Sequence, residues 1–111
     1  MSECIFCLIA AGKIPAKKIF ENERFLAFED IKPKAQVHVL VIPKHHIVSL
    51  MDISQEELLL LGELTCLLPN IAKQCGLDTG FRTIINSGVG GGQEVPHLHY
   101  HLLGGRRLPP F

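Results

Sequence analysis

The chain has 111 residues, with eleven basic and eleven acidic side chains and no formal net charge. That length suits a single domain, residues 1–111, with one core, and 47% hydrophobic with 20% charged residues is an ordinary globular composition. No basic block is present, so neither nucleic acid nor a membrane surface is an expected electrostatic partner.

The N-terminal run MSECIFCLIAAGKIP carries Glu3 and no preceding Lys or Arg, a poor signal peptide. The apolar stretch Leu58 to Ala72 is interrupted by Glu63 and Pro69 and is too short to span a bilayer. Four cysteines without a secretory signal point to reduced thiols in a cytoplasm.

In chain order, Cys4 to Ala11 reads as a short helix closed by Gly12. Lys18 to Phe20 and Arg24 to Glu29 read as strands joined by the turn Glu21-Asn22-Glu23, and Asp30 to Lys34 reads as a loop. The β-branched run Val37 to Ile42, stopped by Pro43, has the pattern of a central strand buried on both faces. Ser54-Gln55-Glu56-Glu57 is a capping box that opens a long helix to about Cys75, with Gly76 as its stop. Pro69 is expected to kink or divide that helix. Its polar residues Glu56, Glu63 and Asn70 form a narrow stripe, and the leucine-rich remainder is more than one sheet face needs. Either the helix is sunk in its own core or it forms a homodimer seam; the second is expected. Phe81 to Asn86 is a further strand, and a glycine-rich loop, Ser87 to Gln93, leads to the last one. Helix, three strands, long helix and two strands make an α+β fold with a mostly antiparallel five-stranded sheet.

The last strand carries His97, His99 and His101 at alternate positions, three of the six histidines. Strand geometry puts them on one face and Leu98, Tyr100 and Leu102 on the other. One metal ion does not suit all three: the outer backbones are about 13 Å apart, and each nitrogen would have to come within about 2.1 Å of the ion. Covalent chemistry suits them better. An imidazole nitrogen is a nucleophile towards phosphorus when its other nitrogen is held protonated, and a second imidazole one pleat away can donate to phosphate or leaving group. The glycine loop adds backbone N–H groups that can approach an anion closely.

His-x-His-x-His followed by two apolar residues resembles the signature of the histidine triad family of nucleotidyl hydrolases and transferases. Ile14-Pro15-Ala16-Lys17, Leu26 to Ile31, His38 to Lys44, and Asn86 to Arg106 resemble the Hint branch of that family in order and spacing. The resemblance implies a HIT-like fold and a nucleotidyl-histidine intermediate formed on His99, with His101 contacting the phosphate and aiding the leaving group. It implies a ribose acid at Asp30 and a purine slot from Ile5, Phe6, Ile9, Phe28, Ile31 and Leu40. Asn86, Gly92, Gln93 and Glu94 fall on the phosphate side. Many relatives have a small hydroxyl residue where this chain has Glu94, so the Glu94 backbone N–H is expected to serve rather than its side chain. The C-terminal tail lacks the tryptophan that several relatives carry.

Cys4-Ile5-Phe6-Cys7 is a C-x-x-C pair, ambiguous by itself, for which three readings compete: a redox pair, two buried small hydrophobes or half of a zinc site. The resemblance to zinc-containing members of the superfamily, including galactose-1-phosphate uridylyltransferase, implies Cys4, Cys7, His46 and His97 as a closed structural zinc set. His97 would then be a scaffold member of the triad rather than an acid catalyst, and catalysis would need no metal cofactor. His38 is expected to support the site through a hydrogen bond, His45 to be solvated, and Cys66 and Cys75 to pack. The implied activity is hydrolysis of a purine nucleoside 5′-phosphoramidate to AMP or its analogue by a cytoplasmic homodimer. The alternatives are dinucleoside polyphosphate hydrolysis, which a short chain disfavours, and non-catalytic nucleotide binding by a regulatory or scaffold protein.

Overall fold

The computed structural model describes residues 4–111; Glu3, which counted against a signal peptide, lies outside them. The elements are α1 (Ile5–Ala10), β1 (Lys18–Glu21), β2 (Phe25–Glu29), β3 (Val37–Pro43), α2 (Leu58–Gln74), β4 (Arg82–Ile84) and β5 (Tyr100–Gly104). They form one five-stranded sheet in the order β1-β2-β3-β5-β4, and all four pairings are antiparallel. The continuous apolar run is indeed central, as β3 lies between β2 and β5.

Period-two alternation divides the core into two layers. Phe25, Ala27, Val39, Val41, Leu98, Tyr100 and Leu102 face α2, where Leu64, Leu68, Ile71 and Ala72 meet them at helical spacing. Leu64, Ile71, Leu98 and Leu102 are wholly withdrawn from water, and burying a side chain of that size contributes about 1.5–3 kcal/mol. The opposite face presents Leu26, Phe28, Leu40 and Ile42, and these pack on Phe6 and Ile9 of α1. A 17-residue helix therefore covers one face and a six-residue helix the other.

Side chains fix the local ends. Asn22 Oδ1 accepts from the N–H groups of Arg24 and Phe25 at 2.9 and 2.8 Å and so forms the tight turn between β1 and β2. Ser54 and Glu57 form the expected capping box, with Ser54 N–H donating to Glu57 Oε1 at 2.6 Å. The first turn after it is a 3-10 turn, so the α-helix starts at Leu58, later than the capping box suggests. Gly76, at φ +79°, ends α2 in a Schellman turn: Leu77 N–H reaches Ala72 O at 2.9 Å and Gly76 N–H reaches Lys73 O at 3.0 Å.

Four expectations need correction. Pro69 does not divide α2, which runs unbroken through it; packing of Leu68, Ile71 and Ala72 on either side holds the helix together. Cys66 is exposed rather than packed, whereas Cys75 lies against the core. The fourth strand is three residues long, because Asn86 turns away to bridge the glycine loop through Gly91 O at 2.9 Å. The last strand begins at Tyr100, not at His97. Its partner β3 runs out there: Val41 pairs with Tyr100, and beyond it Pro43 has no N–H to offer. The alternation survives this loss of pairing, since Leu98 is buried in the α2 layer while His97 and His99 lie on the α1 side. Of the leucine surplus, Leu60, Leu61 and Leu67 are partly buried against this core, and Leu58 and Leu59 remain 69% and 79% exposed. No helix among the described residues is long and apolar enough to cross a membrane.

Candidate active site

Because α1 is short, it leaves part of its sheet face open. The opening is a cavity of about 680 Å³, of a size that suits a small-molecule ligand. Ile5, Phe6, Ile9, Phe28, Ile31 and Leu40 line it as an apolar slot, Asp30 stands at its rim, and His99 and His101 form its floor. Asn86, Gly92 and Glu94 complete the opposite wall. Ile84 joins that wall because β4 pairs it with His101, a register that nothing in the sequence announces. Ile14, Pro15, Ala16, Lys32, Lys34 and Leu103 also contribute and were likewise not anticipated. His97 and Gln93 do not line the cavity.

Hydrogen bonds fix the tautomer of each imidazole that lines the cavity. His99 Nδ1 lies 2.7 Å from the carbonyl oxygen of His97, which can only accept. Nδ1 must then carry the proton, and Nε2 keeps its lone pair. The ring is 7% exposed and stands edge-on to Phe6, at 5.2 Å between centroids and 88°. His101 is set by a longer chain. The backbone N–H of Lys34 donates to His38 Nδ1 at 3.0 Å, so the His38 proton is on Nε2. That N–H donates to His101 Nδ1 at 2.9 Å, which leaves the His101 proton on Nε2. Asp30 Oδ2 lies 3.5 Å from the same His38 nitrogen, and Asp30 Oδ1 accepts from Lys32 N–H at 2.8 Å. Asp30, His38 and His101 have the spacing of a cation site, but the engaged Nδ1 obliges His38 to keep its Nε2 proton. The trio is a proton-orienting chain. The supporting role expected of His38 is the one this geometry gives it.

Both members of that chain are held neutral. Burial, then the neighbouring His99 and His38, lowers His101 from 6.5 to about 4. Burial also lowers His38, against an opposing pull from Asp30.

The glycine loop differs in detail from a cradle of free donors. Gly91 and Gln93 N–H both donate to Gly88 O at 3.1 Å, and Gly92 N–H donates to Val89 O at 3.0 Å. The Gln93 side chain is occupied too: its Oε1 accepts from Gly88 N–H, and its Nε2 donates to the carbonyls of Val48 and Val95. Gln93 therefore holds the loop closed. Glu94 N–H is the next in line and has no partner among the described residues. Gly92 adopts φ +82°, which a side chain would strain, and this turn brings Glu94 to the cavity wall.

On the far side of His99 a second cluster forms. Cys4 is the N-cap of α1, its Sγ accepting from Cys7 N–H at 3.4 Å, so one helical turn sets both sulfurs side by side. His97 Nδ1 lies 3.3 Å from Cys4 Sγ and 3.6 Å from Cys7 Sγ, and His46 Nδ1 lies 3.3 Å from Cys7 Sγ and 3.2 Å from His97 Nδ1. All four donor atoms fall within 4.8 Å of one another. A tetrahedron of Zn–S and Zn–N bonds has edges of about 3.4–3.8 Å, so the residues fit a Cys2His2 metal site. His97 Nε2 donates to Pro43 O at 2.8 Å and thereby leaves Nδ1 unprotonated towards the sulfurs, the arrangement a histidine ligand needs. Burial, followed by the neighbouring Cys4, pushes the Cys7 thiol up, a cost that a cation among the four would remove. His45 is exposed, as expected.

The neutral chain carries a stability signature. The unfolded state binds protons on His101 and His38 near pH 6.5, whereas the folded state resists them down to about 4 for His101. Unfolding is thus favoured as pH falls through that interval. Urea midpoints should drop between pH 6.5 and 4.5, before the carboxylates titrate, and His101→Gln should flatten the drop; an unchanged slope would contradict the assignment.

Residues 3–109 match the family described as "Scavenger mRNA decapping enzyme C-term binding". The chain is 50% identical over 104 residues to Protein HitA of Neisseria gonorrhoeae, spanning 94% of this chain and 97% of that one. Among solved structures, a histidine triad protein from Clostridium difficile superposes with a TM-score of 0.95 at 49% identity, over 100% of this chain and 97% of the other. A HIT family hydrolase from Legionella pneumophila Philadelphia 1 superposes at 0.93 with 44% identity, over 96% of each chain. The two-layered sheet, the paired histidines on its open face and these likenesses along nearly the whole chain place the protein in the histidine triad family.

Proposed function

We propose that the protein is a cytoplasmic, homodimeric Hint-type hydrolase that cleaves purine nucleoside 5′-phosphoramidates to the nucleoside monophosphate and an amine. The observation that carries this reading is the hydrogen bond from His99 Nδ1 to His97 O, which leaves His99 Nε2 unprotonated on the floor of the cavity. The apolar slot takes the purine and Asp30 accepts from the ribose hydroxyls. His99 Nε2 attacks phosphorus, and the P–N bond breaks with its electron pair going to the amine nitrogen, which takes up a proton from solvent; the water of the second step releases one proton back to solvent. The charge that develops on the His99 ring is met by the His97 carbonyl, already in place. His101 Nε2–H and Glu94 N–H donate to the phosphate oxygens. Water then attacks phosphorus on the opposite side, the P–His99 bond breaks, and the monophosphate leaves. No step calls on a metal ion.

The expected outcome is rapid AMP release from an adenosine 5′-phosphoramidate in the presence of EDTA, reduced at least about a thousandfold in a folded His99→Ala variant. No turnover by folded protein that still binds AMP would turn attention to dinucleoside polyphosphates and then to a binding protein without catalysis.

Zinc is the proposed occupant of Cys4, Cys7, His46 and His97, where it would supply rigidity rather than chemistry. One zinc per chain is expected by elemental analysis. Cys7→Ser should lose the metal and lower the melting temperature, and metal-free wild-type protein would refute the proposal.

Exposed Leu58 and Leu59 and the short edge strand β4 support pairing of two copies. Sedimentation at micromolar concentration should give twice the 12.3 kDa chain mass, and a monomer would refute it.

A further inference from the structure

Among the charged side chains of the cavity that the proposed reaction does not use, Glu94 stands apart by its position. Glu94 lines the cavity, is exposed, and makes no hydrogen bond or ion pair with any described residue through its side chain. The other charged residues of the lining, aside from the histidines, sit together on β2 and the loop after it. Glu29 is paired there with Lys17 at 3.6 Å, and Asp30 is held by Lys32 N–H and faces His38. Lys32 and Lys34 belong to the same segment. The wall across from them is Ile84, Asn86, Gly92, Glu94 and Val95, on which Glu94 is the only charged residue.

The phosphoramidase reading gives the substrate two ends in this cavity. With the base in the apolar slot and the ribose at Asp30, the phosphate lies over His99 and His101. What is attached beyond phosphorus must then extend along the Glu94 wall. A carboxylate there repels a leaving group that brings more negative charge and attracts one that carries a cation. We infer that Glu94 selects the leaving group: an amine bearing a second, permanently protonated nitrogen, in preference to a neutral amine or a further phosphate. This rests on the phosphoramidase reading above and specifies the amine it would act on. It also separates the two duties of one residue: the backbone N–H meets the phosphate, and the side chain meets what is bonded to it.

The test compares two adenosine 5′-phosphoramidates, one of n-butylamine and one of 1,4-diaminobutane joined through one nitrogen. For the wild type, kcat/KM should favour the diamine by about fivefold at low ionic strength, and the preference should fade in about 1 M salt, where the screening length is only ~3 Å. Glu94→Gln should bring the ratio close to one by slowing the diamine substrate and, with repulsion of the phosphate relieved, speeding the neutral one. Glu94→Lys should invert it. A simple folding defect would slow both substrates alike and leave the ratio where it was. Turnover of both substrates with a ratio that ignores Glu94→Gln and Glu94→Lys overturns the inference alone. Turnover of neither by folded wild-type protein overturns the phosphoramidase reading and the inference with it.

Discussion

The ring of His97 is wholly buried, and a buried imidazole has to be satisfied at both nitrogens. Its Nε2 is bound by the carbonyl of Pro43 at the exit of β3, and its Nδ1 is turned to Cys4, Cys7 and His46. Three separate parts of the chain are thereby joined at one side chain: the start of α1, the end of β3 and the approach to β5. Fixing that ring fixes its backbone, and the carbonyl of His97 is what orients His99. The same residue is a ligand candidate through its side chain and a positioning group through its main chain. That is how a cluster facing away from the cavity governs the group that faces into it.

The second constraint is the unequal cover of the sheet. Seventeen residues of α2 seal one face, where alternate residues of every central strand are aliphatic or aromatic. On the other face the six residues of α1 cover only part of the sheet. The alternate positions left over hold His38, His99 and His101, and Leu40 and Leu103 flank them. Phe6 stands at the boundary, edge-on to Phe28 and His99 in the cavity lining and to His97 of the cysteine–histidine cluster behind it. Pocket and core are thus one continuous layer that α1 covers only in part.

Much of this was legible in residue patterns. The strand period of Val37 to Ile42, the capping box at Ser54, the glycine after Cys75 and the i, i+2 histidines each follow from local geometry, and each appears in the structure. What was not legible depends on registers and backbone groups that no side-chain pattern records. Ile84 joins the cavity because of how β4 pairs with β5; the His101 tautomer is set by an amide of Lys34; His97 is held by a carbonyl of Pro43. The glycine loop read as a set of free donors, whereas the N–H groups of Gly91, Gly92 and Gln93 close on carbonyls within the loop. Pro69 read as a breaker, and tertiary packing overrode it.

The loop from Asp30 to Lys34 has two loads on it. At one end is the carboxylate proposed to grip the sugar, and four residues later is the amide that dictates where the His101 proton sits. Both hang from a segment anchored at β2 and at β3, with Asp30 N–H bound to His38 O at 3.0 Å. The position of the Asp30 carboxylate and the tautomer of His101 are therefore mechanically linked through this one segment. A ligand that displaced Asp30 would carry Lys34 with it and let the His38 ring choose its other tautomer. Which ring nitrogen of His101 carries its proton is thus written in backbone geometry, through the Lys34 amide and the His38 ring.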